Sequence, residues 1–418
     1  MSAPGPDPAA DAVLDSAISP AAADAPAIGP ARNVLLTGAT GFLGAFLLRE
    51  LLDRTDADVS CLIRADSDRH AFDRLRETMR RYLIWDGRVA ERVVPVAGDL
   101  TAPRLGLTPA RWTGLAERID AVQHNGAQVG HAAPYAALRA ANVAGTVEII
   151  RLASEHRRKP LSFVSTAAVP GDPSDPSAPP PPPGRPGSGY VTGKWVAERL
   201  VQQAGERGLP VRIHRPGRIS GHSITGACQL DDGIWHFVRA IALLGLAPEV
   251  GASDDDGPDV SFSPVDHVAR AIVRLSAHDS AAHVGRAPVR YLVNPSRMPL
   301  RELIGHVAKR FPVSYAPPDE WLERLWAARH GHDGALLKAG VLVPYYRALL
   351  TGAGRPPVVD DRDTVRDLEG VGMACPPLDG ALVGVYFDYF EAAGFLPLSK
   401  IPPLHTMEGH RESPGSRP

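Results

Sequence analysis

The stretch VLLTGATGFLG at residues 34–44 decides the fold of this chain. It begins with a short apolar run that ends in glycine, and apolar residues at helical spacing continue through residues 42–52. This order predicts a strand, a tight turn and a helix in direct succession. Such a succession is the setting in which a glycine-rich turn binds a dinucleotide.

The glycines of this turn have separate physical tasks. Gly38 permits the tight turn, Gly41 lets a pyrophosphate approach the backbone at the helix N-terminus, and Gly44 lets the helix pack close to the strand. A glycine triplet can also be only a turn, but the flanking strand and helix favour the dinucleotide site. The residues expected to contact the cofactor here are Gly38, Thr40, Gly41, Phe42, Leu43 and Gly44.

The end of the second strand indicates which dinucleotide is bound. Residues 59–63 form an apolar run that ends at Arg64, where an NAD-binding fold would place an acidic residue for the ribose 2′-hydroxyl. An arginine suits a 2′-phosphate, because its planar fork binds phosphate oxygens bidentately. NADPH is therefore favoured over NADH. Arg74 on the following helix either adds a second contact or belongs to a solvated basic face.

Apolar strand candidates alternate with amphipathic helices along the first half of the chain. This alternation predicts an α/β fold, a Rossmann-type doubly wound parallel sheet with a smaller, mainly helical cap. The strand candidates are 33–37, 59–63, 93–97, 120–124, 161–165 and 211–214. The predicted segments are a disordered leader 1–31, an NADP-binding domain 32–216, a cap segment 217–259, a return to the first domain 260–295, a C-terminal cap 296–400 and a disordered tail 401–418.

Composition excludes several classes of function. The 418 residues carry a formal net charge of −2 with 22% charged residues, so no nucleic-acid or membrane surface is indicated. The cysteines, Cys61, Cys228 and Cys375, lack CxxC spacing, which supports neither a disulfide framework nor a metal site. No signal peptide or long apolar span is evident, so a cytoplasmic protein is expected.

Two segments interrupt the regular pattern. The leader is rich in Ala, Pro and Asp, which is typical of disorder, although its residues 12–20 are apolar enough to pack on the main domain. Residues 170–189 contain an unbroken proline run at 179–183 and lie just before Tyr190. This loop is either a surface excursion or a gate for substrate.

Tyr190 and Lys194 are four residues apart, so on a helix both project from the same face. A neighbouring ammonium is expected to lower the pKa of the phenol and to make it a general acid near neutral pH. The lysine can also hold the nicotinamide ribose. A Tyr and a Lys at this spacing arise often by chance, so the pair gains meaning only from the strand that precedes it.

That strand, residues 161–165, ends in hydroxyl residues at the edge of the sheet where ligands bind. Thr166 would donate a second hydrogen bond to a substrate oxygen, with Ser165 as the rival. The alternative is that the Ser-Thr pair satisfies the backbone of its own turn.

Other strand ends supply further cofactor contacts. Asp99 and Leu100 follow the third strand and are expected near the adenine, unless Asp99 is simply a turn aspartate. Small residues after the fourth strand would let the backbone pass beneath the cofactor, although Asn125 can also be a loop cap. The remaining expected contacts are Asn125, Gly126, Ala127, Pro216 and Gly217, with Tyr190 and Lys194.

These motifs resemble the extended short-chain dehydrogenases/reductases in kind and order. More narrowly, the chain is similar to the thioester reductase domains that terminate nonribosomal peptide and polyketide assembly lines, relatives of the reductase domain of carboxylic acid reductases. The stretches that carry this narrower resemblance are 61–65, 124–127, 135–146, 225–232, 262–271, 375–378 and 394–397.

The resemblance implies that NADPH reduces a thioester on the phosphopantetheine arm of an acyl or peptidyl carrier protein to an aldehyde, sometimes onward to an alcohol. It implies a catalytic triad of Thr166, Tyr190 and Lys194. Two departures, Gly130 where asparagine is expected and Pro170 where tyrosine is common, concern the substrate pocket.

The same resemblance sets expectations for the cap and for the whole chain. Helices at residues 319–329 and 336–350 are expected to form the cap and dock the carrier. Trp321 and Trp326 are expected in the core, with contact to the carrier as the alternative. A monomer is expected, working free or as the terminal piece of an assembly line, and the initiating methionine favours the free form.

Other functions remain open at this stage. A sugar-nucleotide epimerase or dehydratase shares the fold, but such enzymes usually retain NAD, which Arg64 argues against. A fatty acyl-CoA reductase or another carbonyl reductase differs mainly in what carries the acyl group. An NADP-sensing regulatory protein would keep the nucleotide turn and lose the active site, which Tyr190 and Lys194 argue against.

Overall fold

The architecture is taken from a computed structural model of the chain. It describes residues 5–20, 23–25, 29–130, 133–172, 175, 177–178, 181, 188–251, 257–278, 285–329, 334–353 and 359–398. The strands within these ranges are β1 Asn33–Thr37, β2 Asp58–Ile63, β3 Val93–Ala97, β4 Ala121–His124, β5 Leu161–Val164, β6 Val211–Pro216, β7 Ile219–Ser220, β8 Leu246–Pro248, β9 Asp259–Val260, β10 Ser263–Pro264, β11 Val289–Leu292, β12 Met298–Pro299 and β13 Ser314–Ala316.

Helices cover both faces of the main sheet and build the cap. They are α1 Pro8–Asp11, α2 Phe42–Arg54, α3 Asp68–Arg81, α4 Val89–Arg92, α5 Pro109–Arg118, α6 Tyr135–Arg139, α7 Gly145–Ser154, α8 Gly189–Glu206, α9 Gly233–Leu244, α10 Val265–His278, α11 Leu300–Arg310, α12 Pro318–Ala328, α13 Gly334–Val341, α14 Val343–Leu350, α15 Arg362–Glu369 and α16 Gly380–Ala392. A 3₁₀ turn spans Pro103–Gly106, and a π-helical turn, Ala140–Ala144, joins α6 to α7.

The seven-stranded parallel sheet has the order β11-β6-β5-β4-β1-β2-β3. The predicted doubly wound α/β fold is therefore confirmed. The strand order reverses between β1 and β4, and ligands bind in the crevice at such a switch point. The register pairs Thr37 with His124 there, so the ends of these two strands meet at the crevice.

Strand β11 is not among the strand candidates of the sequence. It lies at the edge of the sheet beside β6, and its sequence Val-Arg-Tyr-Leu is buried except at Arg290, which is partly exposed. A strand covered on both faces shows a continuous apolar run, whereas an edge strand need not. Its short and polar sequence thus provides no strong signal.

The described residues form three hydrophobic clusters. Two lie on the opposite faces of the main sheet. The third lies within the cap, where Trp235 packs against the rings of Phe262, Tyr386 and Phe390. Helix α15 leaves the cap and packs on β11 and α10, and Arg290 forms an ion pair with Asp367 at 3.0 Å there.

The helical segment expected at residues 336–350 is divided into α13 and α14. The break falls at Leu342, and Pro344 occupies the first turn of α14. Proline is tolerated in the first turn of a helix but not in its interior, so the break lies where the sequence requires it.

The leader is the clearest departure from the sequence prediction. Residues 7–20 are ordered and packed, and the side chains of Leu14 and Ile18 are 1% and 3% exposed in the core on one face of the sheet. The prediction of a mostly disordered leader is wrong for this segment, because its few apolar residues are spaced to reach that core. The alternative, packing on the main domain, holds for residues 12–20.

Some predicted features lie outside the described residues. They are most of the loop at 170–187 and the predicted disordered tail, 401–418. In the part of the chain that the structure describes, no helix has the length and apolar character that crossing a bilayer requires.

Candidate active site

The glycine turn is packed so closely that side chains are excluded. Gly38 has a φ of +73°, and a Cβ there would lie 2.8 Å from Gly126 Cα on the neighbouring strand end. A Cβ at Gly44 would collide with Gly38 O. Gly38, Gly41 and Gly44 therefore let β1, β4 and α2 meet at the switch point, and the turn that they form, here called the cradle, is the predicted position of the pyrophosphate.

The N-terminus of α2 faces this cradle. Gly41 is its N-cap residue and provides no side-chain hydrogen bond to the first turn. The first backbone N–H groups of a helix have no partner within it and favour an anion. Thr40 and Phe42 are partly exposed beside the turn, whereas Leu43 is buried, so only its backbone belongs to the cradle. The predicted pyrophosphate site fits this arrangement.

Arg64 and Arg74 lie together at the end of β2. Arg64 is exposed, and Arg74 on α3 donates a hydrogen bond to Arg64 O. The contact places both arginines at the end of β2, the strand that lies beside β1 and its glycine turn. Arg74 therefore differs from the solvent-facing arginines of the same helix, such as Arg69, whose side chain is 88% exposed.

Asp99 satisfies its own turn. Its Oδ1 accepts hydrogen bonds from Thr101 N and Thr101 Oγ1, both at 2.8 Å. The Asp99 side chain is therefore a turn aspartate, which was the alternative in the sequence analysis. Its contact with adenine stays a prediction. Leu100 packs against the loop after β4, because a Cβ on Gly126 would be 2.6 Å from Leu100 Cδ1.

A buried chain of hydrogen bonds fixes the loop after β4. Gly126 N donates to Thr37 Oγ1 at 2.8 Å, and Thr37 Oγ1 lies 2.7 Å from His124 Nδ1. On the other side, His124 Nε2 lies 3.1 Å from Thr146 Oγ1, whose proton is donated to Asn142 O at 2.7 Å.

This chain determines the tautomer of His124. Because Thr146 uses its proton elsewhere, it accepts from His124 Nε2–H, and Nδ1 then accepts from the Thr37 hydroxyl. Burial lowers the pKa of His124 to about 3, so the ring stays neutral. The sequence analysis did not predict this chain of hydrogen bonds. A usable signal was that Thr37 and His124 are polar residues at the ends of two apolar strands.

Asn125 and Asn142 hold the same loop from two sides. Asn125 Nδ2 lies 3.5 Å from Gly38 O. Asn142, in the π-helical turn, accepts from Gln128 N at 2.7 Å and donates to Gln128 O at 2.9 Å. π-Turns occur often at functional sites. The backbone of residues 125–128, which includes Ala127, is thus fixed beneath the cradle.

Lys194 is buried on α8 and reaches the end of β5. Its Nζ donates to Val164 O at 2.7 Å and lies 4.7 Å from the centre of the Phe163 ring. Burial lowers the pKa of Lys194 to about 8, partly opposed by the Glu198 carboxylate. The contact ties the Tyr190 helix to the strand whose end carries Thr166.

The expected lowering of the pKa of Tyr190 is not found. Burial raises it to about 12, because removal from water penalises the charged phenolate. Tyr190 therefore keeps its proton at neutral pH. It is placed on the first turn of α8, four residues before Lys194.

Ser165 and Thr166 have different environments. Ser165 is 3% exposed, and its Oγ is buried with no hydrogen-bond partner among the described residues. Thr166 is partly exposed, and its Oγ1 accepts from Ala168 N at 3.3 Å. The turn thus uses Thr166 as an acceptor only, so its O–H proton can still be donated. Exposure favours Thr166 over Ser165 as the residue that meets a substrate.

A fully buried ion pair holds α8 against β6. Glu198 accepts from Arg215 Nε at 2.9 Å and from Arg215 Nη2 at 2.6 Å, and both side chains are 0% exposed. Arg215 Nη1 also donates to Tyr291 Oη on β11 at 2.6 Å. Sequence reasoning did not find this pair, because no local pattern links its two partners.

A cavity of about 370 Å³ lies between the sheet edge and the cap. Ala167 follows Thr166 on the sheet side, and Gly217 follows Pro216 at the end of β6. Pro216 O accepts from Ala167 N at 2.9 Å, which joins these two strand ends. The residues that line the cavity from the cap include Arg297, Tyr345, Ala348 and Leu349.

Two further expectations concern the cap tryptophans and metal sites. Trp321 is 0% exposed and lies in the cap core as predicted. Trp326 is 50% exposed and lies under the Arg329 guanidinium, so its prediction as a core residue is wrong. Within the described ranges, no group of three or more His, Cys, Asp and Glu residues is arranged to hold a metal ion.

This chain matches a known protein family and is similar in sequence to known proteins. The NAD-binding family model described as Male sterility protein matches residues 36–272. One of the polypeptides of linear gramicidin synthase from Brevibacillus parabrevis is 39% identical over 376 residues, which cover 88% of this chain. The chain spans only 7% of the length of that synthase polypeptide.

Solved structures match over almost the whole chain. The terminal R domain from the myxalamid PKS-NRPS biosynthetic pathway is 39% identical with a TM-score of 0.84, and the match covers 93% of this chain and 98% of that domain. The reductase (R) domain of a nonribosomal peptide synthetase from Mycobacterium tuberculosis is 28% identical with a TM-score of 0.77, over 92% of this chain and 98% of that domain.

Proposed function

The chain belongs to the NAD-binding Male sterility protein family, as one of its terminal reductase domains, and on that premise we propose that it reduces a carrier-bound thioester. The substrate is an acyl or peptidyl group on the phosphopantetheine arm of a carrier protein. The product is an aldehyde released from the carrier, and a second reduction would give the alcohol. This chemistry fits the release step of natural product biosynthesis.

One observation carries this proposal. The end of β5, which holds Thr166, and the helix that holds Tyr190 and Lys194 are joined by the hydrogen bond from Lys194 to Val164 O. The cavity beside Ala167 and Gly217 opens at the same strand ends. The strand end that holds Thr166 therefore borders, through Ala167, a space that could receive an acyl group, and this supports the proposal.

The residues have distinct roles in the proposed reaction. NADPH, when bound, supplies the hydride that reduces the thioester carbonyl. Tyr190 and Thr166 donate hydrogen bonds to the carbonyl oxygen as it becomes negative, which is usually the largest electrostatic contribution to such a reaction. Tyr190 then supplies the proton to that oxygen. Collapse of the resulting thiohemiacetal breaks the carbon–sulfur bond and releases the pantetheine thiol and the aldehyde.

The proposal is tested by NADPH consumption with two matched substrates. The same acyl thioester is presented on a phosphopantetheinylated carrier protein and on coenzyme A, and the products are identified by mass spectrometry. We expect aldehyde or alcohol from the carrier-bound substrate. A preference for coenzyme A would favour a fatty acyl-CoA reductase. No oxidation of NADPH with either substrate, despite tight binding of NADPH, would overturn the proposal.

NADPH rather than NADH is proposed because of Arg64 and Arg74. Arg64→Ala is expected to raise the KM for NADPH about tenfold or more and to leave the KM for NADH nearly unchanged, since a hydrogen-bonded charge pair contributes about 1.5–3 kcal/mol. Initial rates with each cofactor measure the effect. Arg69→Ala is the matched control, because this α3 arginine is solvent-facing. Equal effects on both cofactors would contradict the 2′-phosphate role.

The proposal also covers the oligomeric state and the cellular compartment. We expect the chain to act as a monomer in the cytoplasm, whether free or within a longer assembly line. Sedimentation at several protein concentrations measures the oligomeric state, and a mass that rises with concentration would contradict the monomer.

A further inference from the structure

Residues 7–20, here called the N-terminal belt, cross the outer side of α6 and α8. The belt begins at the Asp7 N-cap of α1 and contacts α6 through one carboxylate. Asp11 accepts from Tyr135 Oη at 2.6 Å, from Arg139 Nε at 2.6 Å and from Arg139 Nη2 at 2.5 Å. Hydrogen bonds between charged partners in this forked geometry are among the stronger ones in proteins.

A separate set of contacts holds the belt on α8. Gln203 accepts from Leu14 N at 3.0 Å and donates to Ala12 O at 2.6 Å. Arg207 donates to the carbonyl oxygens of Leu14, Asp15 and Ile18 at 2.7, 2.6 and 3.0 Å. The belt therefore has one fixed end on α8 and one carboxylate clamped to α6.

Helix α6 begins a helical run that continues through the π-helical turn into α7, so its C-terminal end is fixed by the chain itself. The N-terminus of α6 has no side-chain cap, and only Leu138 of its five residues is buried. Tyr135 and Arg139 bind Asp11 from the less buried side of this segment. The contacts with Asp11 therefore help to fix the first turn of the run.

The position of α6 bears directly on Tyr190. A Cβ on Gly189, the residue before Tyr190, would collide with Ala133 O and Tyr135 N at the start of α6. The first turn of α8 thus lies directly against the first turn of α6. A shift of α6 would move the backbone from which Tyr190 projects.

We propose that Asp11 is a positioning residue that holds α6 against the start of α8 and so fixes Tyr190 for proton donation. The inference rests on the proposed function, because Tyr190 serves that reaction. It assigns to the N-terminal belt a role in the active site, although the belt touches neither the cofactor cradle nor the cavity. The Arg139 hydrogen bonds also lower the pKa of Asp11, which keeps the clamp charged at neutral pH.

Asp11→Asn tests the clamp with little change of shape. We expect kcat to fall about tenfold, since small misplacements of a catalytic group cost one to two orders of magnitude. The Kd for NADPH is expected to stay within about twofold, because the cradle is formed by other strand ends. Asp15→Asn is the matched control, since Asp15 lies in the same belt and its carboxylate accepts only from Ala17 N among the contacts described.

Deletion of residues 1–20 followed by addition of a peptide of residues 5–20 gives a second test. The peptide is expected to restore kcat, and the same peptide with Asp11→Asn is expected to bind without restoring it. If the truncated chain fails to fold, Asp11→Asn in the full chain decides the matter alone.

Hydrogen exchange separates failure of this inference from failure of the proposed function. Backbone exchange of residues 133–142 and 188–194 should become faster in Asp11→Asn than in the wild type, whether or not any thioester is reduced. A wild type that does not reduce thioesters would refute the proposed function only. Unchanged kcat and exchange in Asp11→Asn, or equal losses of kcat, NADPH affinity and melting temperature, would overturn the positioning role.

Discussion

Tyr190→Phe is expected to lower kcat by about 10²-fold or more, the usual range for loss of a general acid, and to leave the Kd for NADPH intact. A 10²-fold loss corresponds to about 2.7 kcal/mol of transition-state stabilisation. Removing one hydroxyl keeps the ring that packs at the start of α8. The change therefore acts on proton donation and on the hydrogen bond to the developing oxyanion.

The environment of Tyr190 explains why the effect should appear in kcat. Its raised pKa, about 12, keeps the phenol protonated at every working pH, so the donor is always present in the wild type. Lys194, four residues further along α8 and held on Val164 O, is proposed to stabilise the phenolate left after proton transfer. Phenylalanine offers neither a proton nor a charge for Lys194 to stabilise.

The measurement combines steady-state rates with cofactor fluorescence. Thioester-dependent NADPH oxidation gives kcat, and quenching or enhancement of NADPH fluorescence gives the Kd. Tyr315→Phe is the matched control, because Tyr315 is 52% exposed on β13, away from the proposed site. A Tyr190→Phe variant with full turnover would rule out the assigned role of the hydroxyl.

The nucleotide-binding half of the fold could be predicted because its signals are local. The glycine turn, the apolar strands and the first helix follow one another within about one βα unit, where sequence order dictates spatial order. The pairing of Thr37 with His124 follows from that order once β4 lies beside β1. Strand β11 escaped prediction, because an edge strand lacks the apolar run that marks a central strand.

The positions of the proposed site residues were predictable where they depend on one strand or helix. Thr166 follows the end of β5, and Lys194 lies on the same helix as Tyr190, four residues along. Their catalytic roles stay a prediction. The pKa of Tyr190 could not be predicted, because its direction depends on how deeply the ring is buried and not on the neighbouring residue alone. The contacts of Asp11 could not be predicted for a related reason, since its partners are more than 120 residues away in the sequence.

Glu198→Gln is expected to lower the free energy of unfolding by about 3–5 kcal/mol, the cost of breaking a buried ion pair by removing one partner. Glutamine keeps the shape of the side chain but leaves the Arg215 guanidinium charged in a place with 0% exposure. Since whole domains are stable by about 5–15 kcal/mol, the loss is a large fraction of the total.

The size of this effect depends on burial, and a control on the surface isolates that dependence. Glu320→Gln removes the partner of Arg324, but those side chains are 47% and 66% exposed, so the change should stay within about 0.5 kcal/mol. Equilibrium unfolding in urea, with the slope compared among variants, measures both changes. A loss below about 1 kcal/mol in Glu198→Gln would show that water or rearrangement compensates the charge.

The double variant Glu198→Met with Arg215→Met separates the cost of an unpaired buried charge from the cost of changed packing at these two positions. With both charges removed, most of the lost stability should return, because no unpaired charge remains buried. A residual cost of about 1–3 kcal/mol is expected, since Tyr291 Oη loses the hydrogen bond from Arg215. If stability returns but the kcat of the double variant stays below that of the wild type, the ion pair, and not packing alone, sets the orientation of α8 and thereby of Lys194 and Tyr190.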